Sequence, residues 1–81
     1  MLDFAPSAAL EWVDLSDNKI QKIENLGNNP YLRQLYIDKN EITTIENIEK
    51  NVHLRVLSLN NNKIKKIQNI DGLQLEELYL S

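Results

Sequence analysis

"LRVLSLNNNKIKKI", residues 54–67, changes its period partway through. Leu54, Leu57 and Leu59 come first, and the last two alternate as in a strand buried on one face. Asn60, Asn61 and Asn62 interrupt the run, after which Ile64 and Ile67 follow at a spacing of three. A stretch that starts as a strand and ends at the interval of a tight helical turn must bend back at its asparagines. Whether this switch is local or recurs decides the fold.

It recurs along the chain. "LEWVDLSDNKIQKIENL" starts at Leu10, "LRQLYIDKNEITTIENI" at Leu32 and "LRVLSLNNNKIKKIQNI" at Leu54, while "LEELYLS" opens another copy at Leu75. The offsets are 22, 22 and 21 residues, with the frame L-x-x-[LV]-x-[LI]-x-x-N-x-I-x-x-I-x-x-[LI]. On that frame Met1 and Phe4 match Ile23 and Leu26. One array over 1–81 is therefore expected: 1–9 as the tail of a preceding repeat or a partial cap, 10–31, 32–53 and 54–74 as full repeats, and 75–81 as a partial one.

Each copy predicts a short strand, at 10–15, 32–37, 54–59 and 75–80, whose fourth and sixth frame residues point inward. Stacked copies would pair these strands in parallel. The turn that follows leaves backbone groups near the core, where they need partners. An asparagine amide both donates and accepts, so Asn18, Asn40 and Asn62 are expected to form a buried ladder between turns. By this reasoning Asn40→Leu should cost far more stability than Asn47→Leu. The isoleucine triplets, such as Ile42, Ile45 and Ile48, predict a return through 3₁₀ or short helical turns. The class is an α/β repeat solenoid with short parallel strands on its concave side. Gly27–Tyr31 and Asp71–Gly72 punctuate the repeats, and the residue missing from the third copy falls in such a loop.

The frame resembles the leucine-rich repeat in its short 22-residue class, which includes the protein phosphatase 1 regulatory subunit, axonemal dynein light chain and bacterial internalins. The resemblance implies a non-catalytic module or scaffold that binds another protein on its concave face, as an intracellular regulatory, ciliary or assembly subunit. It leaves a second reading, an internalin-like adhesion array at the cell surface, and a third, a segment attached to an enzyme domain outside these residues. The cysteine caps usual on extracellular animal members have no counterpart here, which favours the cytoplasmic setting.

Composition narrows the chemistry. Eighty-one residues with a net charge of −3 suit one small domain and argue against a nucleic-acid partner. No apolar run reaches the ~18 residues of a membrane span. Without cysteine and with one histidine, thiol chemistry, cysteine zinc sites and paired-histidine metal sites are out, and no cofactor is expected. "DKNEITTIE" from Asp38 begins like a calcium loop, but Ile42 and Thr43 stand where a ligand and a glycine are needed. His53 has no partner for catalysis and reads as loop filler.

The third, fifth and seventh frame residues would face out from the sheet. They are Trp12, Asp14 and Ser16; Gln34, Tyr36 and Asp38; Val56, Ser58 and Asn60; and Glu77, Tyr79 and Ser81. Trp12, Tyr36 and Tyr79 supply the aromatic anchors common at binding hot spots, with Asp14, Asp38 and Glu77 beside them. That combination predicts a protein partner with a basic or amphipathic segment. Lys19, Lys22, Lys63, Lys65 and Lys66 gather on the return and read as a solvated convex face. The apolar edges at both ends also predict self-association of the isolated chain.

Overall fold

The computed structural model describes residues 10–24, 26–27 and 29–81. The reading of 1–9 as a tail or cap lies outside the described residues. Four strands, β1 (Trp12–Asp14), β2 (Gln34–Tyr36), β3 (Val56–Ser58) and β4 (Glu77–Tyr79), form one parallel sheet in chain order. Register follows the frame: Val13 opposes Leu35, Leu35 opposes Leu57, and Leu57 opposes Leu78.

The strands are three residues long, shorter than the apolar pattern predicts, yet lateral bonding continues past them. The Leu15 N–H donates to Tyr36 O at 2.7 Å, and the Asp17 N–H to Asp38 O at 2.9 Å. Sheet pairing therefore passes into turn pairing without a break. Asp17, Lys39 and Asn61, one per repeat, hold φ values of 62°, 57° and 59°. This left-handed residue reverses the chain after each strand, and it suits asparagine or aspartate better than lysine.

The core lies between the sheet and the return. Leu35 and Leu57 enter it from the strands, and Ile23, Ile45 and Ile48 from the return, all with no exposed surface. Each such side chain contributes roughly 1.5–3 kcal/mol by leaving water.

The return differs from the helical turns that the spacing of three predicts. Among the described residues none is helical. Local turn bonds run at the repeat boundaries, from the Asn29, Asn51 and Leu73 N–H groups to Leu26, Ile48 and Ile70 O, and from the Leu32 and Leu54 N–H groups to Asn29 and Asn51 O. Where the return begins, amides bond sideways: the Glu41 N–H donates to Ile20 O and the Lys63 N–H to Ile42 O, both at 2.8 Å, and the Ile20 and Ile42 N–H groups donate to the Asn40 and Asn62 amide oxygens. Donors committed to a neighbouring repeat are not available for a helical ladder at that point. A spacing of three here records one inward face, not a helical ladder.

Candidate functional site

The sheet face is built from strand alternation. On β1, Trp12 and Asp14 are exposed while Val13 is buried, and on β2 Leu35 is buried between exposed Gln34 and half-buried Tyr36. Register sets Asp14 beside Tyr36, and the Trp12 and Tyr36 rings meet at a centroid distance of 6.2 Å, tilted by 50°. Such tilted pairs add about 0.5–1.5 kcal/mol beyond the area they bury. Trp12 nevertheless keeps 56% of its surface exposed, and Tyr79, at the other side of the sheet, keeps 44%. The Tyr36 hydroxyl donates to Gln34 Oε1 at 3.1 Å, and the Tyr79 hydroxyl donates to Glu77 Oε1. Both phenols are thus tied to a neighbour on their own strand, which limits their rotamers.

Electrostatics at the face follow from these bonds. The Ser16 N–H donates to Asp14 Oδ1 at 3.0 Å, and this backbone bond, helped by the Ser16 side chain, holds the Asp14 carboxyl below its ordinary value. The bond to Glu77, reinforced by its negative charge, pushes the Tyr79 phenol up, so that it remains a neutral donor. Glu11 and Arg33 pair at 3.3 Å, largely in solvent, and half-buried Arg55 pairs with exposed Glu76 at 4.0 Å, both along the lower rim of the sheet. Pairs of that kind contribute about 0–1 kcal/mol.

The middle of the face corrects the expectation for Val56. All three residues of β3 are buried, with Val56 at 9% and Ser58 at 3% exposure. Gln34 and Glu77 flank Val56, and Tyr36 and Tyr79 flank Ser58, so the longer neighbours close over a short centre. Val56 offers a partner little surface.

Asp38 and Asn60 also turn out to be occupied. Asp38 Oδ1 accepts both the Ser58 hydroxyl at 2.6 Å and the Asn60 N–H at 2.8 Å. Ser16 Oγ accepts the Asp38 N–H at 3.1 Å, and Asn60 Oδ1 accepts the Ser81 N–H at 2.9 Å. The seventh frame residue of each repeat therefore receives the N–H of its counterpart in the next. This row joins the repeats, and Asp38→Lys would break it as well as change the surface charge.

The asparagine rows are more extensive than the frame suggested. Asn40 Nδ2 donates to Leu15 O and Asp38 O, both at 3.0 Å, while its Oδ1 accepts the Ile20 N–H at 3.0 Å. Asn62 repeats the pattern with Ile37 O (2.8 Å), Asn60 O (3.3 Å) and the Ile42 N–H (2.9 Å). Asn18 departs from it: it is exposed and donates to Leu15 O and Ser16 O of its own repeat. A second row carries Asn47 and Asn69, whose amides donate to Ile23 O (2.7 Å) and Ile45 O (2.6 Å) from left-handed backbone. Asn47 is thus a structural residue, so the gap between Asn40→Leu and Asn47→Leu should be narrower than the frame alone suggests. In a third row the buried Asn51 donates to Leu26 O at 2.9 Å and Asn29 O at 3.2 Å. The sequence signal for both rows was present in the 22-residue offsets from Asn25 to Asn47 to Asn69 and from Asn29 to Asn51.

Elsewhere, Lys22 and Lys63 line a depression open to solvent with Gln21, Glu41, Thr43 and Glu46, so these two lysines stand among carboxylates. Tyr31 and His53 stack at 5.1 Å and 23°, a contact between loop positions 22 residues apart that sequence reasoning missed. No group of three or more His, Asp or Glu among the described residues is arranged to hold a metal ion. No helix among them is long and apolar enough to cross a membrane.

A stacked parallel sheet with one strand, one asparagine turn and one apolar return per repeat defines a repeat class. A family model described as leucine-rich repeats in two copies matches residues 9–50, and another described as leucine-rich repeat matches residues 30–81. The chain belongs to the leucine-rich repeat family. Among curated proteins, none matches it. Repeats of this family generally mediate protein–protein interaction and are typically non-catalytic.

Proposed function

We propose that this chain is a non-catalytic docking module of the short 22-residue class, which holds a partner protein against its sheet face. The observation that carries the reading is Trp12, more than half exposed although packed on Tyr36, with the exposed Asp14 carboxylate on the same strand. An indole in water at a rigid position is the kind of anchor from which interfaces draw most of their energy. The partner accordingly presents a basic or amphipathic segment, and the setting is an intracellular regulatory or assembly complex. Photo-crosslinking tests this: a crosslinker in place of Trp12 should trap the partner, and one in place of Lys65 should not. Trapping only from Lys65 would move the site to the return. Surface biotinylation of the protein in its native cells would replace the intracellular setting with an adhesion array.

A second contact follows from Ile67, which is 58% exposed on the return of the 54–74 repeat, near half-buried Ile64 and Ile70. We infer that the 81-residue chain taken alone self-associates through this apolar face. Light scattering should show mass rising with concentration, with Ile67→Glu reversing the rise. A concentration-independent monomer overturns the inference.

A further inference from the structure

Charge is distributed unevenly across the sheet. β1 and its flank carry Glu11 and Asp14, and β4 and its flank carry Glu76 and Glu77, while Arg33 and Arg55 immediately precede β2 and β3. The two arginines draw on Glu11 and Glu76 along the lower rim. Asp14 and Glu77 therefore remain as the outer carboxylates next to aromatic rings. Trp12 and Asp14 share one side of β1, Asp14 in register with Tyr36 and Trp12 in ring contact with it, and Glu77 and Tyr79 share one side of β4. Between these corners Val56 and Ser58 are buried, so the face holds a partner at its two sides and offers little at its centre.

We propose that the sheet face reads two arginine side chains of one extended segment, one at Trp12, Tyr36 and Asp14 and the other at Tyr79 and Glu77. This rests on the docking reading above and names the chemistry of the occupant. Each corner presents a ring face and a carboxylate together. A guanidinium stacks on the ring while its N–H fork reaches the carboxylate, whereas an ammonium is a point charge that satisfies one at a time. The Ser16 bond that keeps Asp14 ionised serves the same end. The corners are three strand spacings apart, about 14 Å at ~4.8 Å each. An extended chain advances about 3.3 Å per residue and returns to the same side at even intervals, so the two arginines lie about four residues apart.

The test selects short random peptides displayed on phage against the full 81-residue chain, then measures the selected sequences as synthetic peptides. The expected result is enrichment of arginine pairs separated by three residues. Replacing either arginine by lysine should weaken binding about tenfold or more, and so should Asp14→Asn or Glu77→Gln, with the thermal melt of each variant unchanged. Binders that are lost with Trp12→Ala but carry no arginine pair overturn this inference and leave the docking reading standing. Pairs at any other separation also overturn it, and so do pairs whose binding is abolished by a proline placed between the two arginines, which a helix does not tolerate. If every binder is indifferent to Trp12→Ala, both readings fall.

Discussion

Ile45 and Ile67 hold the same frame position in successive repeats, yet Ile45 has no exposed surface and Ile67 has 58% of it exposed. The repeat at 32–53 lies between two others, and its return is covered on both sides. Beyond the repeat at 54–74 the described residues provide β4 and little else, so Ile64, Ile67 and Ile70 are covered on one side only. Residue type is identical in the two places. Burial in a solenoid is therefore a property of neighbouring repeats, and stability is close to a sum over their interfaces.

The largest effect that follows is a contrast at that position. Ile45→Ala should cost about 2–5 kcal/mol, because it opens a cavity in a closed core. Ile67→Ala should stay within about 1 kcal/mol, because water already reaches that side chain. Urea unfolding of both variants measures the difference at one low protein concentration. Equal costs would break the comparison and show that the Ile67 face is covered in solution.

The asparagine rows sharpen it at the next level. Asn40→Leu strands two carbonyls and one N–H, at ~1–3 kcal/mol for each group left buried and unpaired. Asn18→Leu loses two bonds at the surface, where water replaces them, and should cost under about 1 kcal/mol. Asn47→Leu should fall between, since it abandons Ile23 O and forces a branched side chain into left-handed backbone. Thermal melts that ranked Asn18→Leu beside Asn40→Leu would mean that the turn of 10–31 is tied down as firmly as that of 32–53.

Lys39 offers a smaller effect of opposite sign. It occupies the left-handed position that Asn61 fills in the next repeat, at φ 57°. Lys39→Asn should stabilise by roughly 0.5–1 kcal/mol, and Asn61→Lys should cost a similar amount. Loss of stability in Lys39→Asn would show that the exposed, 4.0 Å pair with Asp17 matters more than backbone strain.

The smallest effect is electrostatic. Asp14 has its folded value lowered from 3.8, so its contribution to stability is present above that value and is lost as pH falls through the lowered one. The group is fully exposed, so the shift belongs in an NMR titration more than in a melt. A side-chain midpoint at or above 3.8 would remove the bond from the Ser16 N–H as a factor at the face.

The sequence by itself determined the repeat, its length, the strand of each copy and the inward set of Leu and Ile, because these are patterns within about twenty residues that depend on side-chain type alone. Asn40 and Asn62 were legible for the same reason, as polar residues at fixed places in an apolar frame. Trp12 and Tyr79 could be read as outward by alternation, and the structure keeps both exposed. Tertiary structure decided the rest. Val56 is buried because β2 and β4 bring longer side chains beside it, and Asp38 is occupied because register delivers Asn60 and Ser58 to its carboxylate. Where the return begins, the Glu41 and Lys63 N–H groups meet carbonyls of the repeat before, and the Ile20 and Ile42 N–H groups meet asparagine oxygens of the repeat after, instead of closing a helical turn. Each of these outcomes depends on atoms about 22 residues apart brought within hydrogen-bond reach, and only the stacking of one repeat on the next sets that distance.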